Sequence, residues 1–425
     1  GARGGGHLSI PKLYNGRNKT FFFFGYEGLR ERQAGSFLGT VPTELERRGD
    51  FSQTRDVTGP LIQMFDPATT RLDPTAPAGT TRFVRDLFPG NIVPGNRIQR
   101  IGQNLLSFYP TPNQPGRGQS SVENFFSAAP SQSDQNRVDL KIDHALASKH
   151  QIMGRYNWYK NENRIPSPYG NVASPSTSNS LPGASIQGRH TWTIGPRDLF
   201  EHHFVYGYSE SGRTTPGAGF DPLQLGFAPS AVTGIRVPAF PAITANRLSP
   251  TGLAVLAVSS NRPEVYQYRA AFTRIRGNHT MKFGLDWRLL AGNIILQPPL
   301  AIGATNNFTG GPNPAAAALA SGSGIADLLL GAASVTASIV PFEQVRRPYY
   351  GAFFQDEWRL NQKLTVTYGL RYNLELAFRE KDSQYAFFDL NAASPIANRV
   401  PSLPGLRGGP TYPNGAVQRA DRNNF

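Results

Sequence analysis

Apolar and polar residues alternate with a period of two through much of this chain, and that pattern restricts its fold more than any other feature. In 280–290, Met281, Phe283, Leu285, Trp287 and Leu289 are interleaved with Lys282, Gly284, Asp286 and Arg288. A strand sends successive side chains to opposite faces, so one face here is wholly apolar and the other polar and charged. The segment 364–375 repeats this, with Leu364, Val366, Tyr368, Leu370, Tyr372 and Leu374 set against Thr365, Thr367, Gly369, Arg371, Asn373 and Glu375. Val138, Leu140 and Ile142 do the same against Arg137, Asp139, Lys141 and Asp143. These segments have strand periodicity, not helical periodicity.

The strands come in pairs. Those near 136–144 and 150–159, 188–194 and 199–209, 265–276 and 279–290, and 349–360 and 363–375 are joined by two to five residues of turn-forming type, such as Gly277-Asn278 and Asn361-Gln362. Short joints of this kind close antiparallel hairpins. With a first strand at Thr20–Gly28, nine strands are expected. Between the pairs, the connections 29–135, 160–187, 210–264 and 291–348 are long and rich in Pro, Gly, Ser and Asn. Loops this long signal function or disorder. Strict alternation places all short turns at one end of the sheet and all long loops at the other, as in bacterial outer-membrane barrels.

The expected class is therefore all-β: a partial antiparallel transmembrane β-barrel with long extracellular loops. Strands of about 9–12 residues match the roughly 9–11 that a tilted strand needs to cross a bilayer. Rings at strand ends, including Tyr156, Trp158, Trp287, Trp358 and Tyr372, fit an interfacial girdle, although core or cross-strand pairing explains each ring singly. Two segments resist assignment. Phe21–Phe24 is aromatic on both faces, and Asp356 falls in the apolar register of 349–360, through either a bulge or a headgroup position.

Composition closes off other classes. The chain has no Cys, which excludes disulfides, thiolate catalysis and Cys-based zinc sites. The net charge of +14, from 43 basic and 29 acidic residues, is spread without long runs. With no nucleic-acid module present, this reads as a surface for anionic lipid heads or an anionic solute. The best window for a spanning helix, Pro314–Val340, is rich in Ala, Gly and Ser and carries Asp327 near its middle, so a short loop helix at 324–331 is expected instead.

Nor is there a catalytic constellation: GxSxG, HExxH, a P-loop and a strand-borne GxGxxG are all missing. His202 and His203 are adjacent, and in a strand they point to opposite faces and cannot share an ion. Glu27 and Glu31 lack dyad spacing. No cofactor, metal or nucleic-acid partner is expected, and the chain reads as a non-enzyme. Within a barrel, Arg155, Asp286, Arg288 and Arg371 are the candidate lumen-facing residues.

The residues also resemble a known family. NKTFFFFGYEGLR from Asn18 resembles the first barrel strand of TonB-dependent receptors of the Oar-like group, which carry a carboxypeptidase-regulatory-like domain. Further likenesses follow in order: Val41-Pro-Thr with Gly49-Asp-Phe51, Phe65-Asp-Pro67, Asn91-Ile-Val-Pro94, Asn104-Leu-Leu with Tyr109-Pro110, Gln135-Asn-Arg-Val-Asp139, Ala326-Asp-Leu-Leu-Leu-Gly331, and Phe354-Gln-Asp-Glu-Trp358 leading to Tyr368-Gly-Leu-Arg-Tyr372. Asp421-Arg-Asn-Asn-Phe425 resembles the lead-in to a further strand. The resemblance implies a division into 1–19, a lead-in from a missing plug; 20–376, the N-terminal part of the barrel; and 377–425, an extracellular loop and lead-in to the next strand. It also implies that a TonB-engaging segment precedes residue 1, and that the remainder of about 22 strands follows residue 425.

Three functional readings follow: an outer-membrane importer of a chelate, glycan or peptide driven through TonB; an adhesion or export-related barrel; and a soluble β-rich binding protein. On the barrel reading, Leu285→Arg near the bilayer midplane costs about 2–4 kcal/mol, and Asp286→Asn is expected to be mild.

Overall fold

The structure, a computed structural model, describes residues 1–252, 256–318 and 320–412. Ten strands form one antiparallel meander whose spatial order follows the chain: β1 (Ala2–His7), β2 (Thr20–Gln33), β3 (Ser131–Ala147), β4 (His150–Arg164), β5 (Ser178–Gly195), β6 (Asp198–Ser209), β7 (Val258–Arg276), β8 (His279–Gln297), β9 (Glu343–Arg359) and β10 (Thr365–Glu375). Two short strands, Ser211–Thr214 and Arg379–Glu380, extend it at the long-loop end. The nine expected positions all carry strands. The tenth, β1, lies in 1–19, where only a lead-in was expected. Its Gly-rich sequence has no alternation to detect, and of its three glycines only Gly5 needs to lack a side chain. A Cβ on Gly5 would stand 2.9 Å from the Phe22 carbonyl oxygen.

Most strands are longer than expected, up to 19 residues in β7 and β8. The long connections shrink accordingly to 34–130, 165–177, 215–257 and 298–342. On β4 the apolar face runs through Ile152, Tyr156 and Trp158, then turns polar at Lys160, Glu162 and Arg164 while pairing with β5 continues. A ladder in water keeps its backbone hydrogen bonds without an apolar face, so alternation marks only the lipid-height part of each strand.

Register settles the two ambiguous segments. Phe22, Phe24 and Tyr26 pair with Ile142, Leu140 and Val138 on the apolar face, and Phe21 and Phe23 with Asp143 and Lys141 on the polar one. β9 runs without a register shift against β8 and β10, so no bulge accommodates Asp356. It stays on the apolar face near the short-turn end, where His279 Nδ1 lies at 2.6 Å and the Tyr368 hydroxyl donates at 2.8 Å.

No second sheet covers the apolar face: Leu285 is 61% and Leu370 64% exposed. A patch this large is kept for contact with something outside the fold. One row of directly paired residues crosses that face: Thr20, His144, Ile152, His190, His202, Ala270, Leu285, Ala352 and Tyr372. Thr20 begins its strand, whereas Tyr372 lies seven residues above Thr365, the start of β10. With the short turns level, the row climbs about 23 Å over eight gaps of ~4.8 Å, a strand tilt of about 30°. Transmembrane barrels tilt by roughly 35–45°.

The conventional hydrophobic core lies elsewhere, in the four long connections. Val41, Phe51, Met64, Val93, Leu105, Leu106, Phe240, Ile243, Ile302 and Leu329 pack together with almost no exposure. Short helices α1 (Glu44–Arg47), α2 (Arg100–Ser107) and α3 (Gly324–Leu329) surround them, α3 within the stretch expected to be helical. Those motifs of the family resemblance that lie in the long connections contribute to this core, with Val41, Phe51, Val93, Leu105, Leu106, Tyr109 and Leu329 among its residues. Thr43 and Glu46 close a capping box on α1, and Glu46 also accepts from the Thr54 hydroxyl at 2.9 Å. The Asn91 amide donates to the carbonyls of Phe51 and Ile62 (2.7 and 2.8 Å) and accepts from the Met64 amide at 2.7 Å. Tyr109 donates to the Ser249 carbonyl, Asn171 to that of Phe108, and the Gln99 amide to that of Leu329, which ties all four connections together. The expected lead-in at 421–425 lies outside the described residues. Among the described residues, no helix is long and apolar enough to cross a membrane, which leaves a strand-built crossing open.

Buried Asp327 on α3 accepts from the Thr309 hydroxyl and from the amides of Thr309 (3.0 Å) and Phe308 (3.2 Å). Burial pushes its carboxyl up to about 6 against those bonds. The folded domain thus holds this proton more tightly than the unfolded chain, whose carboxyl sits at the ordinary value near 3.8. The contribution of Asp327 to stability is full below about pH 4 and is lost as pH rises to about 6. Denaturant midpoints of the loop domain measured across that range should fall, and Asp327→Asn should flatten the slope. On the sheet, Leu285→Arg should cost about 2–4 kcal/mol in equilibrium refolding into lipid. Lys282→Gln, on the polar face, should change stability by less than about 0.5 kcal/mol.

Candidate functional site

Strand register puts Arg155, Asp286, Arg288 and Arg371 on the same polar face, opposite the apolar one. Three of the four meet. Asp286 on β8 is 5% exposed and receives Arg288 (Nη2 at 2.5 Å), Arg269 (Nε at 3.5 Å) and Arg371 (Nη2 at 3.5 Å), while Gln267 Nε2 donates at 2.9 Å. One carboxylate therefore carries three guanidiniums, each of which remains substantially exposed to water. Arg155 stands apart on β4, four strand gaps away, bound to Asp139 through Nε and Nη2 at 3.1 and 2.7 Å.

A gap in β9 builds the cluster. Gly351 lies opposite Asp286, and its missing side chain lets Arg371 reach from β10 across β9. A Cβ there would meet the Tyr349 hydroxyl at 2.9 Å and Arg371 Nη2 at 3.1 Å. Arg371 also donates to Asn373 Oδ1 (2.8 Å) and to the Tyr349 hydroxyl (3.0 Å), and Tyr349 donates to Asn373 at 2.6 Å. The Arg288 guanidinium lies 4.8 Å from the Tyr349 ring centre. The planar cations are thus held by both hydrogen bonds and ring faces.

Elsewhere on this face acids and bases match singly: Arg155 with Asp139, Lys141 with Asp143, and Arg347 with Glu375. At Asp286 three guanidiniums share one carboxylate, so positive charge is in surplus there. Such a site can attract and orient an anion without covalent chemistry. No group of three or more metal-binding side chains occurs among the described residues.

Sequence reasoning missed Arg269, Gln267, Tyr349 and Asn373. The Gly277-Asn278 turn alone places Arg269 opposite Asp286, so that partner was legible. Tyr349 and Asn373 share the β9–β10 hairpin with Arg371, but their place beside Asp286 and Arg288 depends on β8–β9 pairing across the long connection 298–342, which no local pattern specifies. The structure also corrects the expectation for Asp286→Asn. A nearly buried carboxylate shared by three arginines is not a mild site, because its removal leaves three cations facing one another. Asp286→Asn should cost about 1–3 kcal/mol in refolding equilibria, the arginines being partly screened by solvent. Gly351→Val should displace Arg371 and lose part of the same stability.

No curated protein matches the chain. The family model described as outer membrane beta barrel domain matches residues 1–425. Among solved structures, the chain aligns with the outer membrane transporter YddB from Escherichia coli at 6% identity and a TM-score of 0.42, over 88% of this chain and 33% of that one. The chain thus spans about a third of the length of that transporter.

Proposed function

We propose that this chain, which belongs to the outer membrane beta barrel domain family and so resides in the bacterial outer membrane, forms part of the wall and mouth of a solute-uptake receptor. The observation that carries this reading is the pairing of two features on one sheet. The long connections fold into a single domain on one rim, and the polar face beneath holds a surplus of arginine around Asp286. The folded domain presents a shaped surface to an arriving solute. The polar face, lining the lumen with Arg155, Asp286, Arg288 and Arg371, offers it water and fixed positive charge.

Among the described residues the meander has two edge strands, β1 and β10, and lipid cannot satisfy an open edge, so a membrane barrel on this reading needs both edges paired. The sequence likeness to Oar-like TonB-dependent receptors supplies the energy source: TonB, engaging a segment outside this chain, drives uptake of a chelate, glycan or peptide. The chain itself performs no covalent chemistry.

A second reading, adhesion, is favoured by the loop domain having a core of its own, as an interaction module would. Uptake of labelled ferric chelates, oligosaccharides and oligopeptides separates the two. Cells making the full-length protein should accumulate at least one class, and cells lacking TonB should lose nearly all of that accumulation. Surface attachment that persists while no class accumulates supports adhesion instead.

A further inference from the structure

Three histidines on the apolar face form a hydrogen-bonded chain. His150 Nδ1 lies 2.9 Å from His190 Nε2, and His190 Nδ1 lies 2.9 Å from His202 Nε2. The chain crosses β4, β5 and β6 near their short-turn ends. The His150 and His190 rings are nearly coplanar, and the Trp192 indole stacks on His150 at 5.4 Å. Imidazoles are costly on a lipid-facing surface, and nothing in the barrel pattern requires three in a line. His203, one residue on, points to the other face, so this is a property of the apolar side.

The short-turn rim beside the chain is basic. Lys149 and Arg197 lie in the first two turns, Arg276 abuts the third and Lys363 lies in the fourth; against them stands Asp198, which abuts the second turn and is paired with Arg274. The groups facing the chain are few. His144, bound to the Thr20 hydroxyl at 2.7 Å, is on β3; Lys149 is in the turn; Asp198, paired with Arg274 at 3.2 Å, and the Tyr268 hydroxyl, 3.5 Å from His202 Nδ1, are on β6 and β7. The only carboxylate among them is already paired.

We propose that this rim of the apolar face binds the phosphate headgroup of an anionic phospholipid, held between the His150–His190–His202 chain and the basic short turns. In a neutral chain each link uses one N–H and one lone pair, so one outer nitrogen carries a proton and the other a lone pair. One added proton keeps both links and makes both outer nitrogens donors. The chain then bears a positive charge and offers N–H groups to phosphate oxygens, while Trp192 sits at the boundary between headgroup and acyl chain. A zwitterionic headgroup meets the same basic rim with its own cation and gains less. The assignment rests on membrane residence and not on the uptake reading.

Native mass spectrometry of the full-length protein in non-ionic detergent tests this, with phosphatidylglycerol, phosphatidylcholine and inorganic phosphate as probes. At about pH 5.5, where imidazoles take up protons, phosphatidylglycerol should be retained about five-fold more tightly than phosphatidylcholine, the size expected of one charge at a membrane surface. At about pH 8 that preference should shrink, leaving the share due to the basic turns. His190→Gln should abolish the pH-dependent part and His203→Gln should leave it intact, with heat-modifiable gel mobility confirming folding of both. His150→Gln, at the turn, serves if His190→Gln does not fold. A folded His190→Gln or His150→Gln protein that keeps the full pH dependence overturns the proposal. So does inorganic phosphate that competes as effectively as the lipid, which would make the site one for a free anion.

Discussion

Every peptide group at lipid height must find its hydrogen bond within the protein, because the bilayer offers none. That constraint organises this molecule. It forces the membrane part into a paired ladder and gives each strand one face for lipid and one for water. It also moves the conventional hydrophobic core to the only place where water can drive one, the long connections outside. The sheet has no buried core of its own; its apolar face is covered by the membrane. The chain therefore contains two structures stabilised by two different solvents.

On the water-facing side, electrostatics replaces packing as the source of specificity. Arg155 and Arg347 each pair with one acid across neighbouring strands, and such exposed pairs add little stability. Asp286 differs because Gly351 opens a path across an intervening strand and lets a distant arginine join two near ones. A single missing side chain thus converts an ordinary ladder pair into a charged centre spanning four strands.

The amount legible in the sequence followed from how local each signal was. Alternation and tight turns are local, so the strands, their pairing order and the common face of the four charged residues could all be read directly. Strand ends could not, because above the lipid a ladder continues through Lys160, Glu162 and Arg164 with no period-two contrast to betray it. Strand β1 was invisible because glycines carry no pattern. The meeting of Arg371 with Asp286 was hidden because it depends on non-local register between β8 and β9. The motifs of the long connections were conspicuous as sequence, but their role as one core emerges only when all four connections are placed together, tied by Tyr109 to Ser249, Asn171 to Phe108 and Gln99 to Leu329.

The overshoot of β7 and β8 beyond the lipid has an architectural result. Where those ladders keep pairing for several residues past the greasy band, they form a stiff extension of the sheet, roughly 20 Å tall, that leads into the long connections. Asp286 lies eleven residues below Gln297, where β8 passes into the long connection, so mutation can alter the folded domain without disturbing the charged cluster.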